Sequence, residues 1–284
     1  MKTKKYIPYM FIAPAVLLFS VFMLYPIIYS LVLSFQTSVG GEMAYNGIDN
    51  YKRLFSDQIF IKALKNTFIL LIIQVPIMIS LALILATCLN SALLKFKGLF
   101  RVAFFLPAVT SLVAYSIIFS MILMNDGVIN QIVTALGFDR IPWLSHPVWA
   151  KGALIMAMTW RWVGYNMVIY LAAMQNISDD IYEAASIDGA GKVRQFLSIT
   201  IPQLKPVILF TMILSTIGTL QLFDEPFVLT RGGPSDETLT LGMYLYQTGF
   251  RYFDFGYAST LAYVIVVLIA IISYIQFKVT GDEK

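Results

Sequence analysis

The chain has 284 residues, 58% of them hydrophobic and 13% charged, with a net charge of +4. A soluble domain carries about 25% charged residues, and at a mean hydropathy of +0.76 the helices of a soluble fold would have no polar outer face to turn toward water. The composition excludes a soluble globular protein, and the scattered basic residues give no nucleic-acid footprint; anionic lipid and topology account for them.

The apolar residues fall in runs long enough to cross a hydrocarbon layer, which takes about 20 helical residues at 1.5 Å each. The first predicted span is 9–35, holding Pro14 and Pro26. It follows Lys2, Lys4 and Lys5 but is too long for a signal-peptide core and lacks a clear small-residue cleavage site, so it reads as an uncleaved span. Residues 37–66 form a long connection with turn signals at Gly40-Gly41 and Asn46-Gly47. Its second half, Asn50 to Leu64, spaces Tyr51, Leu54, Phe55, Ile59 and Ala63 as on an interfacial helix.

Span two is predicted at 67–93 with Pro76 inside, and span three at 103–124 with Pro107 near its start. Residues 125–152 carry Trp143 and Trp149, which suit a membrane–water boundary. Spans four to six are predicted at 153–175, 206–229 and 258–278. Prolines are tolerated in such helices because neighbouring groups satisfy the freed carbonyls. The predicted class is all-α, a polytopic membrane protein with six transmembrane helices in a single domain over 1–284, with no linker to divide it. The lone Cys88 and the lone His146 give no disulfide and no metal-site pattern.

Six spans put both termini on one side. That side carries eleven Lys and Arg residues against eight on the other, and the short loop 95–102 holds Lys95, Lys97 and Arg101 with no acid. The bias predicts cytoplasmic termini.

The loop 175–205 then lies on the cytoplasmic side. It reads Glu183-Ala184-Ala185-Ser186-Ile187-Asp188-Gly189-Ala190, followed by Phe196, Ile199, Ile201 and Pro202. These residues predict two short helices around a glycine break. Ser178 or Asp179 can cap the first, and Asp180 stands at capping-box spacing from Glu183. Gly189 and Gly191 permit a left-handed helix end. Phe196, Ile199 and Pro202 can pack the second half back on the membrane part. An ordinary amphipathic loop helix has the same features.

Polar groups within spans are costly and point to function or to helix contacts. Span four carries Trp160, Arg161, Trp162, Gly164, Tyr165 and Asn166; span five carries Ser215, Thr216, Thr219, Gln221, Asp224 and Glu225. Tyr165, Asn166, Thr219, Gln221 and Asp224 have the aromatic, amide, hydroxyl and carboxylate character that meets a sugar's apolar faces and hydroxyl rim; helix–helix hydrogen bonding is the alternative for each. Arg161 lies ~15 Å along the helix from Lys151 and needs an acid, a carbonyl or water, with Asp224 or Glu225 as the acids to suspect.

The run from Glu183 to Pro202 closely resembles the cytoplasmic "EAA" motif of permeases in bacterial ATP-binding-cassette importers. Glu183, Ala184, Ala185, Asp188, Gly189, Ala190 and Pro202 match it in order and spacing. Tyr25-Pro26, Asn50-Tyr51, Leu54-Phe55, Asn66-Thr67, Phe105-Leu106-Pro107, Gly164-Tyr165, Gly232-Gly233-Pro234 and Gly256-Tyr257-Ala258 resemble sugar permeases of the maltose and glycerol-phosphate type. The maltose permease has extra amino-terminal spans and a large outer insertion that are lacking here. The resemblance implies the type I importer permease fold in a bacterial inner membrane. Residues 175–205 would dock as a coupling helix, with Glu183 paired to a basic residue of the ATPase. It implies four partners: a second, different permease, two ATP-binding-cassette ATPase subunits, and an external substrate-binding protein. No Gly-rich phosphate loop occurs, so no cofactor is expected on this chain, ATP belonging to the separate ATPase, and the chain is expected not to be an enzyme. An ion-coupled secondary transporter, a membrane scaffold, and the same importer class with a non-sugar substrate are the other readings. An ion-coupled carrier would call for several intramembrane acids and unwound helices.

Overall fold

The computed structural model describes residues 7–39, 41–91 and 94–281. Lys2, Lys4, Lys5 and Lys284, used for orientation, and Gly40 of the predicted turn lie outside the described residues. Among the described residues the elements are helical apart from one hairpin, and four helices are long and apolar enough to cross a membrane, or five if one bent pair is a single span. The chain divides into two compact units.

One unit comprises the amino-terminal part to Gln58 together with Leu245–Val266. Its first helix, α1 (Ile7–Phe19), passes through a π-helical turn at Ser20–Leu24 into α2 (Tyr25–Ser34), and Tyr9–Ser34 matches the predicted first span. Strands β1 (Gln36–Val39) and β2 (Glu42–Tyr45) pair antiparallel, which the sequence reading missed. α3 (Asp49–Ser56) follows. The predicted interfacial helix 50–64 is therefore two pieces, broken at Asp57, whose backbone is extended.

Buried polar side chains fasten this unit. Asn50 donates to the Ser34 carbonyl at 3.1 Å and to the Gln36 carbonyl at 2.8 Å, and Thr260 donates to the Ser34 carbonyl at 3.0 Å, so the last carbonyls of α2 are satisfied as a helix end requires. Tyr257 is fully buried and donates to Asp57 at 2.6 Å. The Arg53 guanidinium lies 3.9 Å from its ring centroid.

The second unit, Ile59–Tyr244 with the chain beyond Val267, is built on long helices. α4 (Gln58–Asn90) starts nine residues before the predicted span two and continues through Pro76. The predicted third span, 103–124, is two helices, α5 (Lys97–Val109) and α6 (Leu112–Ile122), bent by 98°. Pro107 lies in the last turn of α5 rather than at the start of a span, and the Thr110 hydroxyl donates to its carbonyl at 2.6 Å. α7 (Val128–Ala135) precedes α8 (Pro147–Met174), which contains predicted span four. Half of the α8 residues are buried within the unit. It is therefore more polar than a helix that faces lipid all round.

α9 (Asp179–Ile187) is followed by a continuous run, α10 (Lys192–Gln195), a π-helical turn at Phe196–Thr200, and α11 (Ile201–Leu220). Predicted span five, 206–229, is displaced: the helix covers Lys192–Leu220. The run continues through Pro202, which lies just after the π-helical turn, and through Pro206. α12 (Leu241–Tyr246) and α13 (Phe255–Gly281) complete the chain, and α13 holds predicted span six.

Small residues bring these helices together, as is common where lipid removes the hydrophobic drive. Ala82 and Ala86 are buried in one core cluster with Met78, Met167, Tyr170 and Leu204, and Ala153 and Ala157 in another with Leu70, Tyr115 and Met158. A loop at 231–240 is tied down by Glu237, which bridges Lys62 at 3.1 Å and Lys151 at 2.5 Å. Those two ammonium groups, Lys151 first, hold the Glu237 carboxyl below the usual range. The loop's anchoring is therefore full above the ordinary carboxylate pKa and lost as pH falls through the depressed one. The protection of amides 231–240, relative to their intrinsic exchange, should fall below about pH 4, and in Glu237→Gln should be below that of wild type at neutral pH.

Candidate functional site

The break after α11 builds the first part of the site. Residues 221–223 are non-helical, and bare backbone at membrane depth is tolerated only inside protein or around a cavity. Both conditions hold. The Leu222 carbonyl accepts from the Thr240 hydroxyl at 2.5 Å. Gly242 lets the chain approach so closely that a Cβ there would be 2.7 Å from the Gln221 and Leu222 carbonyl oxygens.

On the other side of this break is a cavity of about 320 Å³. All five residues predicted for a substrate path, Tyr165, Asn166, Thr219, Gln221 and Asp224, line it. Gln221, Asp224 and Tyr165 are exposed within it. Asn166 and Thr219 also serve the helices: Asn166 donates to the Trp162 carbonyl at 3.0 Å and Thr219 to the Ser215 carbonyl at 2.9 Å. Tyr165 stacks on Phe105 with centroids 6.4 Å apart and meets Trp162 edge-on at 5.8 Å.

Sequence reasoning left out Gln74 and Met78 of α4, which complete the wall opposite. Gln74 and Asn166 both donate to the Met78 sulfur, at 3.4 and 3.5 Å. An amide in the middle of the apolar run 67–93 was the signal that could have found it. Glu225, named only as a suspect for Arg161, also lines the cavity. The lining residues include two carboxylates and no Lys or Arg.

The suspected ion pair of Arg161 with Asp224 or Glu225 does not form among the described residues. Arg161 is buried, and its Nε and Nη1 have no hydrogen-bond partner. Its guanidinium instead lies 4.7 Å from the Tyr115 ring centroid and 5.4 Å from that of Trp162. Aromatic faces attract a cation most strongly where water is excluded. Tyr115, itself buried, donates to Glu225 Oε1 at 2.7 Å.

The second part of the site is α9 with the turn after it. The Ser178 hydroxyl accepts from the Asp180 amide at 3.3 Å, so Ser178 is the cap and the Asp180–Glu183 spacing forms no capping box. At the other end the Gly189 amide donates to the Ser186 carbonyl and the Ala190 amide to the Ala185 carbonyl. This is the Schellman closure, and Gly189 supplies its left-handed residue at φ +78°. Gly191, expected to share that role, has φ −66° and starts α10 instead. Glu183, Ala184, Ala185, Asp188, Gly189 and Ala190 thus sit on one capped helix and its turn. α9 has no buried residue, and Ile187 is 86% exposed.

Pro202 lies on α11 apart from this turn and is exposed. It does not pack the second half inward; Phe196 and the buried Leu204 do. The fastener that sequence reasoning missed is Gln195, buried, which donates to Ser186 Oγ at 2.8 Å and to the Ala190 carbonyl at 3.0 Å. Tyr182 and Thr200 share a second hydrogen bond at 2.9 Å. Through these bonds α9 is held to the foot of the helix that ends at the cavity.

The profile of the family described as "Binding-protein-dependent transport system inner membrane component" matches residues 60–279. The lactose transport system permease protein LacF of Rhizobium radiobacter is 53% identical over 97% of this chain and 94% of that protein. The arabinooligosaccharides transport system permease protein AraP of Bacillus subtilis (strain 168) is 39% identical over 99% and 91%. A chain from the crystal structure of a bacterial ABC transporter involved in the import of the acidic polysaccharide alginate superposes with a TM-score of 0.86 at 23% identity, covering 97% of this chain and 95% of that one, which shows a shared fold. The ion-coupled and scaffold readings fall with these matches, and the chain is a transport component rather than an enzyme. It belongs to the family of inner membrane components of binding-protein-dependent transport systems.

Proposed function

We propose that this chain is one of two permeases in an ATP-driven importer of a neutral mono- or oligosaccharide. The observation that carries the sugar reading is the cavity: rings at Tyr165 and Trp162, amides at Gln74, Asn166 and Gln221, hydroxyls at Ser215 and Thr219, and carboxylates at Asp224 and Glu225. Rings stack on a pyranose face while the short polar groups meet its hydroxyls. Two acids with no base in the lining disfavour an anionic cargo. The lactose and arabinooligosaccharide permeases named above point to the same class.

In this reading the chain crosses a bacterial inner membrane six times, the bent pair α5–α6 and the helix α8 each counting as a span, with both termini cytoplasmic. Lys95, Lys97 and Arg101 support that orientation. α9 with Glu183, Ala184, Ala185, Asp188, Gly189 and Ala190 is the coupling helix, followed at a distance by Pro202. It docks on one of two separate ATPase subunits, which bind the ATP; this chain needs no cofactor. A second permease completes the path, and an external binding protein delivers the sugar.

The test is purification of the companion binding protein and a thermal-shift screen against saccharides, followed by uptake into proteoliposomes holding the whole complex. A neutral saccharide at 100 times its Kd should stabilise the binding protein by about 2.7 kcal/mol, and its uptake should require ATP and this chain. Failure of every carbohydrate and polyol phosphate, with a clear response to another class, would overturn the sugar reading.

A further inference from the structure

One wall of the cavity has a construction that substrate passage alone does not require. Glu225 is 4% exposed, yet it lines the cavity. Its Oε1 accepts from Tyr115 at 2.7 Å, and the ring of Tyr115 carries the buried Arg161 guanidinium at 4.7 Å. A carboxylate has two oxygens and about four acceptor positions, so Tyr115 orients the group and leaves acceptor capacity unused. Arg161 makes no ion pair with Glu225 among the described residues, and its Nε and Nη1 have no hydrogen-bond partner. A buried arginine that only neutralised Glu225 would be expected to form a bidentate pair with it. Here the tyrosine touches both, its hydroxyl bonding the carboxylate and its ring carrying the guanidinium.

We infer that Glu225 is a specificity-determining residue of the importer, accepting a hydroxyl hydrogen bond from a neutral polyhydroxy substrate, with Tyr115 and Arg161 as the positioning residues that aim it. The inference rests on the proposed sugar path. A site built to bond a hydroxyl rejects the analogue that lacks it far more strongly than an apolar pocket rejects a missing methylene. Hydrogen bonds to charged groups are among the stronger ones, and Gln keeps an acceptor oxygen without the charge, so Glu225→Gln should weaken this bond and change selectivity about tenfold.

The experiment is uptake of lactose and of a panel of monodeoxy-lactoses by the complete reconstituted importer, with wild type, Glu225→Gln, Tyr115→Phe and Arg161→Met. The binding protein's own preference is common to all four and cancels in the ratio between variants. The expected result is that wild type discriminates against at least one deoxy sugar, that Glu225→Gln loses that discrimination about tenfold, and that Tyr115→Phe, which keeps the ring and loses only the hydroxyl bond, moves in the same direction. A merely structural role would lower all rates together and leave the ratio unchanged. Unchanged ratios in Glu225→Gln overturn the inference and leave the sugar reading standing. If Glu225→Gln does not assemble, unchanged ratios in Tyr115→Phe overturn it. A wild-type complex that moves no saccharide overturns the reading of the cavity and this inference with it.

Discussion

Gly164→Val should abolish assembly of the protein or leave it severely unstable, and Gly164→Ala should lower its thermal midpoint in detergent by several degrees. A Cβ at position 164 of α8 would stand 1.7 Å from the Phe104 carbonyl oxygen and 2.3 Å from its carbon, both on α5. The obstacle is backbone, so no rotamer change relieves it, and α5 and α8 must part. Overpacking costs about 1–3 kcal/mol where side chains can shift; here the cost should lie at or above the top of that range. At 2–4 °C per kcal/mol for a chain of this size class, the alanine variant should lose about 6 °C or more. Gly152→Ala, on the same helix with nothing within 4 Å of its Cβ, is the control, and should be neutral or stabilising by up to about 1 kcal/mol. Equal midpoints for the two variants would contradict the close crossing. Because Trp162, Tyr165 and Asn166 of the cavity lie on α8 beside Gly164, the crossing also sets where the cavity wall stands.

Glu183→Lys should leave the fold intact and reduce ATP-driven uptake at least tenfold. The fold should survive because Glu183 is exposed on a helix with no buried residue, and such surface changes usually stay within about 0.5 kcal/mol. Uptake should fail because in the proposed docking of α9 the Glu183 carboxylate pairs with a basic residue and becomes desolvated. Losing one partner of such a pair costs about 2–5 kcal/mol, and a lysine adds repulsion. The check has two readouts, the thermal midpoint of the variant and its uptake rate in the reconstituted complex. Wild-type uptake would remove Glu183 from the coupling contact. A lowered midpoint would instead place it in the fold.

Much of this was legible in residue order. The first span emerged within a residue or two because its apolar run is unbroken and exposed along its length. The capped helix at Glu183 emerged because Ser178 and Gly189 are strong local punctuation, each acting on its own neighbours. The five predicted path residues share a cavity because polar groups in an apolar run have few places to go. The failures were of a different kind. Pro107 and Pro202 have the same ring and different settings: one lies in the last turn of a helix before a 98° bend, the other just after a π-helical turn within a continuous run. Which of these occurs depends on packing against other helices. The hairpin at Gln36–Tyr45 was missed because four-residue strands without strong alternation carry little signal. Arg161 was given an acid by charge alone, whereas the structure offers it two aromatic faces, a choice that only three-dimensional proximity makes. Gln195 was passed over because a glutamine in a polar loop has nothing to mark it as buried.

The claim that most depends on these residues is that α9 carries the contact with a separate ATPase. Its most direct test is site-specific photo-crosslinking from positions 183 and 187 in the purified, transporting complex. The expected result is an adduct between this chain and the ATPase subunit from both positions, with none from the exposed Phe55 of α3. A complex that transports with ATP while neither position captures the ATPase would contradict it.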